Sequence, residues 1–154
     1  RVLHKQMELY AFQQLYFTSL NYGKLHPLFN GGKDYSLTHI NNSVHILLVT
    51  GIASPKRLEN DLSHYNKNIH PLTFSDHHEF SAKDIYKIKE AFEKLPEGKR
   101  MIITTEKDAV RMQANSYLDE DKIKEKICSA TDTAFAVFIL TTLINGDSKK
   151  TLFI

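Results

Sequence analysis

The chain has 154 residues, which suits one domain with its own hydrophobic core and is short for two. Its 42% hydrophobic and 25% charged residues are typical of a globular domain, and a formal net charge of +2 does not indicate a nucleic-acid partner. The single cysteine, Cys128, excludes an intrachain disulfide and a CxxC metal site. No apolar run approaches the ~20 residues of a spanning helix, so we expect no transmembrane segment.

The first part of the chain, residues 1–43, is predicted to be an arm that leads into a domain. Strand-forming residues at 14–22 indicate one β-strand, and the glycine pair within 30–34 indicates a turn. Because the sequence opens at Arg1 without a methionine, we also expect a piece of a longer protein.

The remainder, residues 44–154, is predicted to form one α/β domain. Apolar strands are expected at 44–49, 69–74 and 100–104, each followed by a helix. Pro71 lies inside the second strand and predicts an edge position or an irregularity there. This alternation, with short connections, predicts a three-layer α/β/α sandwich with a mostly parallel sheet and right-handed crossovers.

The predicted helices carry recognisable start signals. Ser54 before Pro55 is a typical N-cap and first-turn pair, and Ser81 with Asp84 resembles a capping box in which Asp replaces Glu. A polar helix at 119–127 and a last strand on the apolar run from 134 to 144 complete the predicted order.

All three predicted strands end in polar motifs, TGIASP, SDHHEF and TTEKD. The carboxyl ends of parallel strands lie on one edge of a sheet, where α/β proteins bind ligands. We therefore predict a functional edge. The candidate residues on it are Thr50, Gly51, Asp76, His77, His78, Thr105, Glu106, Lys107 and Asp108.

Asp76, His77 and His78 form the sharpest motif, because a carboxylate beside imidazoles can orient a histidine and set its tautomer. A histidine held structurally at a helix start and a metal site are the alternatives. Lys107 is unfavourable at a helix start, so we expect it to pair with Asp108, with Asp76 or with a bound phosphate. Of these, a structural ion pair is favoured.

Several motifs do not occur in the 154 residues. There is no GxxxxGK[ST] phosphate loop, and no arrangement that suggests a covalent nucleophile. A metal-dependent phosphoesterase of the DHH type is one alternative function, but it needs further aspartates at earlier strand ends. The first strand ends instead in Thr50 and Gly51. A non-catalytic α/β binding module is the other alternative.

Taken together, the segments LLVTGIASP, FSDHHEFSAKDI and IITTEKDAVRM resemble the C-terminal domain of the tetraacyldisaccharide 4'-kinases, the lipid A kinases of Gram-negative bacteria. The segment QQLYFTSLNYGKLHPLF is similar to the arm that joins the two halves of these enzymes in Bacteroides-like bacteria. The resemblance covers about residues 13–112 and fades after Asn115, where the family usually has a strand and a closing helix.

The resemblance implies a kinase that transfers the γ-phosphate of ATP, with Mg²⁺, to the 4'-hydroxyl of a tetraacyldisaccharide 1-phosphate, a lipid A precursor. It implies an N-terminal domain outside this sequence that carries the phosphate loop, most contacts to ATP and Mg²⁺, and the membrane-anchoring segment. A carboxylate of that domain would be the base, with His77 as the catalytic histidine and Asp76 beside it. The implied partners are the lipid substrate, the N-terminal domain and, through it, the cytoplasmic face of the inner membrane. The chain alone is expected to be inactive.

Overall fold

The computed structural model describes residues 10, 13, 19–28, 33–114 and 137–145, the last of these by their backbone. The strands are β1 (Ser19–Pro27), β2 (Val44–Thr50), β3 (Ile69–Thr73), β4 (Lys99–Thr105) and β5 (Val137–Asn145). The helices are α1 (Pro55–Leu62), α2 (Ala82–Glu93) and α3 (Glu106–Ala114), with one 3₁₀ turn at Leu37–His39.

The strands form one open sheet with the order β1-β5-β4-β2-β3. Strand β2 is parallel to β3 on one side and to β4 on the other, and β4 is parallel to β5. The predicted α/β class with a mostly parallel sheet is therefore confirmed. Pro71 lies in β3 at the edge of the sheet, as predicted, because an interior strand would need the N–H that proline lacks.

Both faces of the central strands are buried, which explains why their sequences are continuously apolar. One face of the sheet packs against Leu28 and residues of α2 and α3, and together they form a core cluster. The sheet and α2 residues of this cluster are Leu47, Val49, Ile102, Ile85, Ile88 and Phe92. The alternate positions of β2 and β4, which face the opposite side, are also buried at Ile46, Leu48 and Ile103.

The contacts along the chain divide it into two compact units. One unit is Gly23–Thr141, and the other combines Arg1–Tyr22 with Thr142–Ile154. The first unit holds β2 to β4, all three helices and every candidate site residue. In it, Leu25 is fully buried and pairs with Tyr35.

The structure tests some of the remaining predictions and leaves others untested. The last strand is present as β5 and overlaps the predicted run. In the arm, β1 begins at Ser19 and continues to Pro27, later than the predicted strand, whose residues 14–18 lie outside the described part. The predicted helix at 119–127 also lies outside it. The domain boundary at residue 44 stays a prediction. No helix in the described ranges is long and apolar enough to span a membrane.

Asp84 caps the start of α2 in the predicted manner. Its carboxylate accepts hydrogen bonds from the backbone N–H of Ser81 at 2.8 Å and from the Ser81 hydroxyl at 2.6 Å. Partial burial opposes ionisation of Asp84, but these two hydrogen bonds and the neighbouring His78 outweigh it and hold the pKa of Asp84 below its ordinary value of 3.8. The ionised carboxylate therefore stabilises the folded state.

We expect Asp84→Asn to lower the free energy of unfolding by about 0.5–2 kcal/mol at neutral pH, the usual effect of losing a helix cap. Because folding lowers the pKa, the stabilisation is complete above the ordinary pKa near 4 and is lost as the pH falls through the folded-state value. Urea denaturation at pH 7 and at pH 3 measures both effects. Glu79→Gln, an exposed carboxylate in the same loop, is the control. An Asp84→Asn deficit that is equally large at pH 3 contradicts the assignment.

Candidate functional site

The carboxyl ends of the central strands meet at one edge of the sheet. Thr50 of β2 pairs with Thr73 of β3, and Val49 lies opposite Thr104 of β4. The three polar motifs continue from these positions. Beyond the sheet, the N–H groups of Phe74 and His77 donate to the carbonyls of Thr50 and Gly51. The three motifs therefore lie at one edge, as the parallel order of the strands predicts.

Asp108 is the centre of this edge and is completely buried. One carboxylate oxygen, Oδ2, accepts hydrogen bonds from the backbone N–H of Gly51 at 3.0 Å and from the hydroxyl of Thr105 at 2.7 Å. The other, Oδ1, lies 3.1 Å from Nη1 of Arg111. The Thr105 oxygen also accepts from the backbone N–H of Asp108 at 3.2 Å, so Thr105 is the N-cap of α3. Asp108 therefore ties the end of β2 to the start of α3.

Gly51 lies in a space that is tight for any side chain. A Cβ added there would lie 3.1 Å from Oδ1 of Asp108, 3.2 Å from the carbonyl oxygen of Ser75 and 3.3 Å from Cβ of His78. Two of these neighbours are main-chain or buried carboxylate oxygens, which cannot move without breaking hydrogen bonds. The close approach of the three loops thus depends on the missing side chain.

We expect Gly51→Ala to lower the free energy of unfolding by about 1–3 kcal/mol, the usual cost of an overpacked site. The measurement is chemical denaturation. Ser54→Ala is a nearby control, because the Ser54 side chain makes no capping hydrogen bond, and we expect it to change stability by less than about 0.5 kcal/mol. Unchanged stability of Gly51→Ala would show that the three loops have room to separate.

Arg111 extends the network from Asp108 to His77. In addition to the Asp108 contact, Nη1 of Arg111 donates to the carbonyl of Gly51 at 3.1 Å. Nη2 lies 3.0 Å from Nδ1 of His77. Arg111 is not among the residues predicted from the sequence, although it lies in the segment IITTEKDAVRM. Its position three residues after Asp108, on the same helix face, is the sequence feature that indicates an ion pair between the two.

His77 projects from the edge in an unusual backbone conformation. Its φ is +57°, in the left-handed region that histidine adopts more readily than most non-glycine residues. Its N–H is shared between the Gly51 carbonyl at 3.2 Å and Oδ1 of Asp76 at 3.0 Å. The side chain is 79% exposed, and its Nε2 lies 3.7 Å from Oδ2 of Asp76. His77 is thus held at its main chain and at Nδ1, with the rest of the ring open to a ligand.

His78 points the other way, toward the protein interior. Its ring stacks on Phe74 at a centroid distance of 4.8 Å and meets the edge of Phe80 at 5.1 Å. Nε2 lies 3.1 Å from Oδ2 of Asp84, outside ideal hydrogen-bond geometry but close enough for an ion pair when the ring is protonated. The two histidines therefore differ in environment: one is open at the edge, and the other packs against the loop.

The other predicted residues occupy two environments. Thr50 is buried at the end of β2, while Glu106 and Lys107 are exposed on the first turn of α3. The favoured structural ion pair of Lys107, with Asp108 or with Asp76, is wrong: Asp108 pairs with Arg111, and Lys107 has no ion pair with any described residue. Successive helix positions lie about 100° apart, so burial of Asp108 turns Lys107 toward solvent.

Within residues 10–114, so far as they are described, no three His, Cys, Asp or Glu side chains are grouped to hold a metal ion. Both oxygens of Asp108 are already used by Gly51, Thr105 and Arg111. Asp76 leaves one partly exposed carboxylate oxygen at the edge. The described residues thus do not form a Mg²⁺ site of their own.

The chain is similar to known proteins along most of its length. The family model described as "Tetraacyldisaccharide-1-P 4'-kinase" matches residues 7–142. The Tetraacyldisaccharide 4'-kinase of Phocaeicola vulgatus is 65% identical over 120 residues, which are 78% of this chain and 33% of that protein. The proteins of the same name from Bacteroides fragilis and Parabacteroides distasonis are 43% and 40% identical, over 77% and 89% of this chain. No solved structure matches.

The chain spans about a third of the length of the curated relatives it matches, with 33%, 32% and 37% of the three proteins covered. The matched residues include β2 to β4, the three helices and the whole Gly51–Asp108–Arg111–His77 network. The chain belongs to the tetraacyldisaccharide-1-P 4'-kinase family.

Proposed function

We propose that this chain is the C-terminal part of a kinase that transfers the γ-phosphate of ATP to the 4'-hydroxyl of a tetraacyldisaccharide 1-phosphate in lipid A biosynthesis. The observation that carries the proposal is the family match over residues 7–142, which includes the ordered sheet edge. The names of the relatives supply the acceptor and the reaction.

The chemistry of the edge fits this reaction. Phosphoryl transfer depends on positioning of the reactants and on neutralisation of charge, and it needs little covalent participation by the protein. His77 offers an oriented imidazole that is open to solvent. Lys107 offers an exposed cation on the first turn of α3, for contact with phosphate. The buried Asp108 and Gly51 fix the loops that carry these groups.

The proposed roles are those that the resemblance to the family implies. His77 is the catalytic histidine, acting beside a carboxylate base that the rest of the full-length protein supplies, and Asp76 supports its ring. His78 packs in the loop and supports the position of His77. ATP and Mg²⁺ are held mainly outside this chain, because its sequence has no phosphate loop. The partners are the lipid A precursor, the N-terminal domain and, through that domain, the cytoplasmic face of the inner membrane.

The experiment compares the 154-residue chain with the full-length protein. We expect the chain alone to show no ATP turnover, with or without tetraacyldisaccharide 1-phosphate, because it has no loop to hold the β- and γ-phosphates. The full-length protein should transfer labelled phosphate to the lipid. ATP turnover by the purified chain that is abolished by a substitution within it would contradict the proposal that ATP is held outside this chain.

A further inference from the structure

We propose that Arg111 is a positioning residue that holds the neutral His77 ring in the tautomer with its proton on Nε2. The role of the ring itself rests on the proposed function, whereas the tautomer is a property of the chain. Asp108 and the Gly51 carbonyl hold the guanidinium of Arg111 through Nη1. The other amino group, Nη2, donates to Nδ1 of His77.

The guanidinium has little freedom to move. Nη1 donates to Oδ1 of Asp108 and to the carbonyl of Gly51, both at 3.1 Å, and the side chain is only 23% exposed. The acceptors are themselves immobile, because Asp108 is completely buried and also accepts from the Gly51 N–H. A planar guanidinium that is fixed at one amino group is fixed at the other. Nη2 therefore points at His77 whether or not a ligand is present.

This contact selects one tautomer. An arginine side chain only donates hydrogen bonds, so Nδ1 of His77, 3.0 Å from Nη2, must accept with its lone pair. A neutral imidazole carries one proton, which is then on Nε2. Protonation of Nδ1 would require the Arg111 contact to break. A histidine that is 79% exposed would otherwise exchange between tautomers and rotamers.

The tautomer determines what His77 can do at the ligand edge. With Nε2 protonated, the neutral ring presents a hydrogen-bond donor and no acceptor in the direction of a ligand. Nε2 lies 3.7 Å from Oδ2 of Asp76, beyond hydrogen-bond distance, so it remains available to another acceptor. His77 is thus prepared to orient a carboxylate base or to bind a phosphoryl oxygen, and not to remove the proton of the acceptor hydroxyl itself.

A purely structural Arg111, present to neutralise Asp108, is the competing explanation. Arg111→Lys distinguishes positioning of His77 from neutralisation of Asp108. The ammonium group can remain beside Asp108, but it has no second, rigid amino group to reach His77. In the full-length kinase we expect Arg111→Lys and Arg111→Met to lower kcat by about tenfold to hundredfold, with a nearly unchanged KM for ATP. Arg57→Met, an exposed arginine on α1, is the matched control and should change neither.

A double-mutant cycle tests whether Arg111 acts through His77. In a His77→Ala background, Arg111→Lys should change kcat by less than about twofold, because the group that it positions is gone. The melting temperature of each variant is measured in parallel. Arg111→Lys with a lowered melting temperature and wild-type kcat, or equal losses in both backgrounds, would make Arg111 structural and overturn the proposal.

The tautomer is measured directly by nitrogen NMR of the ¹⁵N-histidine-labelled protein, with His77→Ala identifying the signal. We expect the neutral His77 ring of the wild type to show a protonated Nε2 and an unprotonated Nδ1, and that of Arg111→Lys to show averaged tautomers. A wild-type ring with its proton on Nδ1, or already averaged, refutes the inference. This result does not depend on kinase activity, so it separates failure of the inference from failure of the proposed function.

Discussion

The substitution His77→Ala should reduce kcat of the full-length kinase by about 10²–10⁴-fold, the range for a group that takes part in acid–base catalysis, here by assisting the carboxylate base. We expect the KM for ATP to change little, because the proposed function assigns the phosphates of the nucleotide to the part of the protein outside this chain. The melting temperature should also change little, since the side chain is 79% exposed and packs in no core. Steady-state kinetics with tetraacyldisaccharide 1-phosphate and a thermal denaturation curve provide the three values.

Two further histidine substitutions serve as controls for this result. His64→Ala removes an exposed histidine after α1 and should leave kcat and stability unchanged. His78→Ala removes the ring that stacks on Phe74, so it should lower the melting temperature more than His77→Ala does. If His77→Ala lowers kcat by less than tenfold and clearly lowers the melting temperature, His77 is structural, and the catalytic role passes to His78.

The largest loss of stability is expected from Asp108→Ala. The substitution leaves the buried Gly51 N–H without its acceptor, which costs about 1–3 kcal/mol, and leaves Arg111 without its counter-ion. Breaking a fully buried ion pair costs ~3–5 kcal/mol, but Arg111 keeps some access to water. We therefore expect the free energy of unfolding to fall by about 2–4 kcal/mol.

Urea denaturation measures this loss, and Glu97→Ala, an exposed acidic residue in the turn after α2, is the control. Glu97→Ala should lie within about 0.5 kcal/mol of the wild type. Asp108→Asn should recover only part of the loss, because an amide keeps one acceptor oxygen but cannot neutralise Arg111. A loss below about 1 kcal/mol for Asp108→Ala would mean that water replaces the carboxylate and that the network does not hold the loops together.

The sequence predicted the central strands and the shared edge well, for a physical reason. Continuous apolar runs such as 44–49 occur in strands that are covered on both faces, and parallel pairing then places the ends of such strands together. The strand in the arm was predicted less well. Residues 23–27 include glycine and proline, yet β1 runs through them, since pairing such as Leu25 with Tyr35 outweighs local propensity.

The contacts within the site could be predicted only in part. Whether Asp108 pairs with Lys107 or Arg111 depends on the direction in which α3 leaves β4, and burial of Asp108 settles it in favour of Arg111. Likewise, the sequence motif DHH does not say which histidine faces outward. The positive φ of His77 turns one ring to the edge and the next onto Phe74. Both features arise from tertiary packing between segments distant in the chain.

We propose that this chain completes a kinase whose acceptor is the 4'-hydroxyl of a tetraacyldisaccharide 1-phosphate. The most direct test of this proposal gives the full-length protein γ-labelled ATP and either this lipid or a matched acceptor that lacks the 4'-hydroxyl. We predict label on the complete lipid, at position 4', and none on the matched acceptor. Equal labelling of both lipids, or release of labelled phosphate with no transfer to either, would contradict the proposed function.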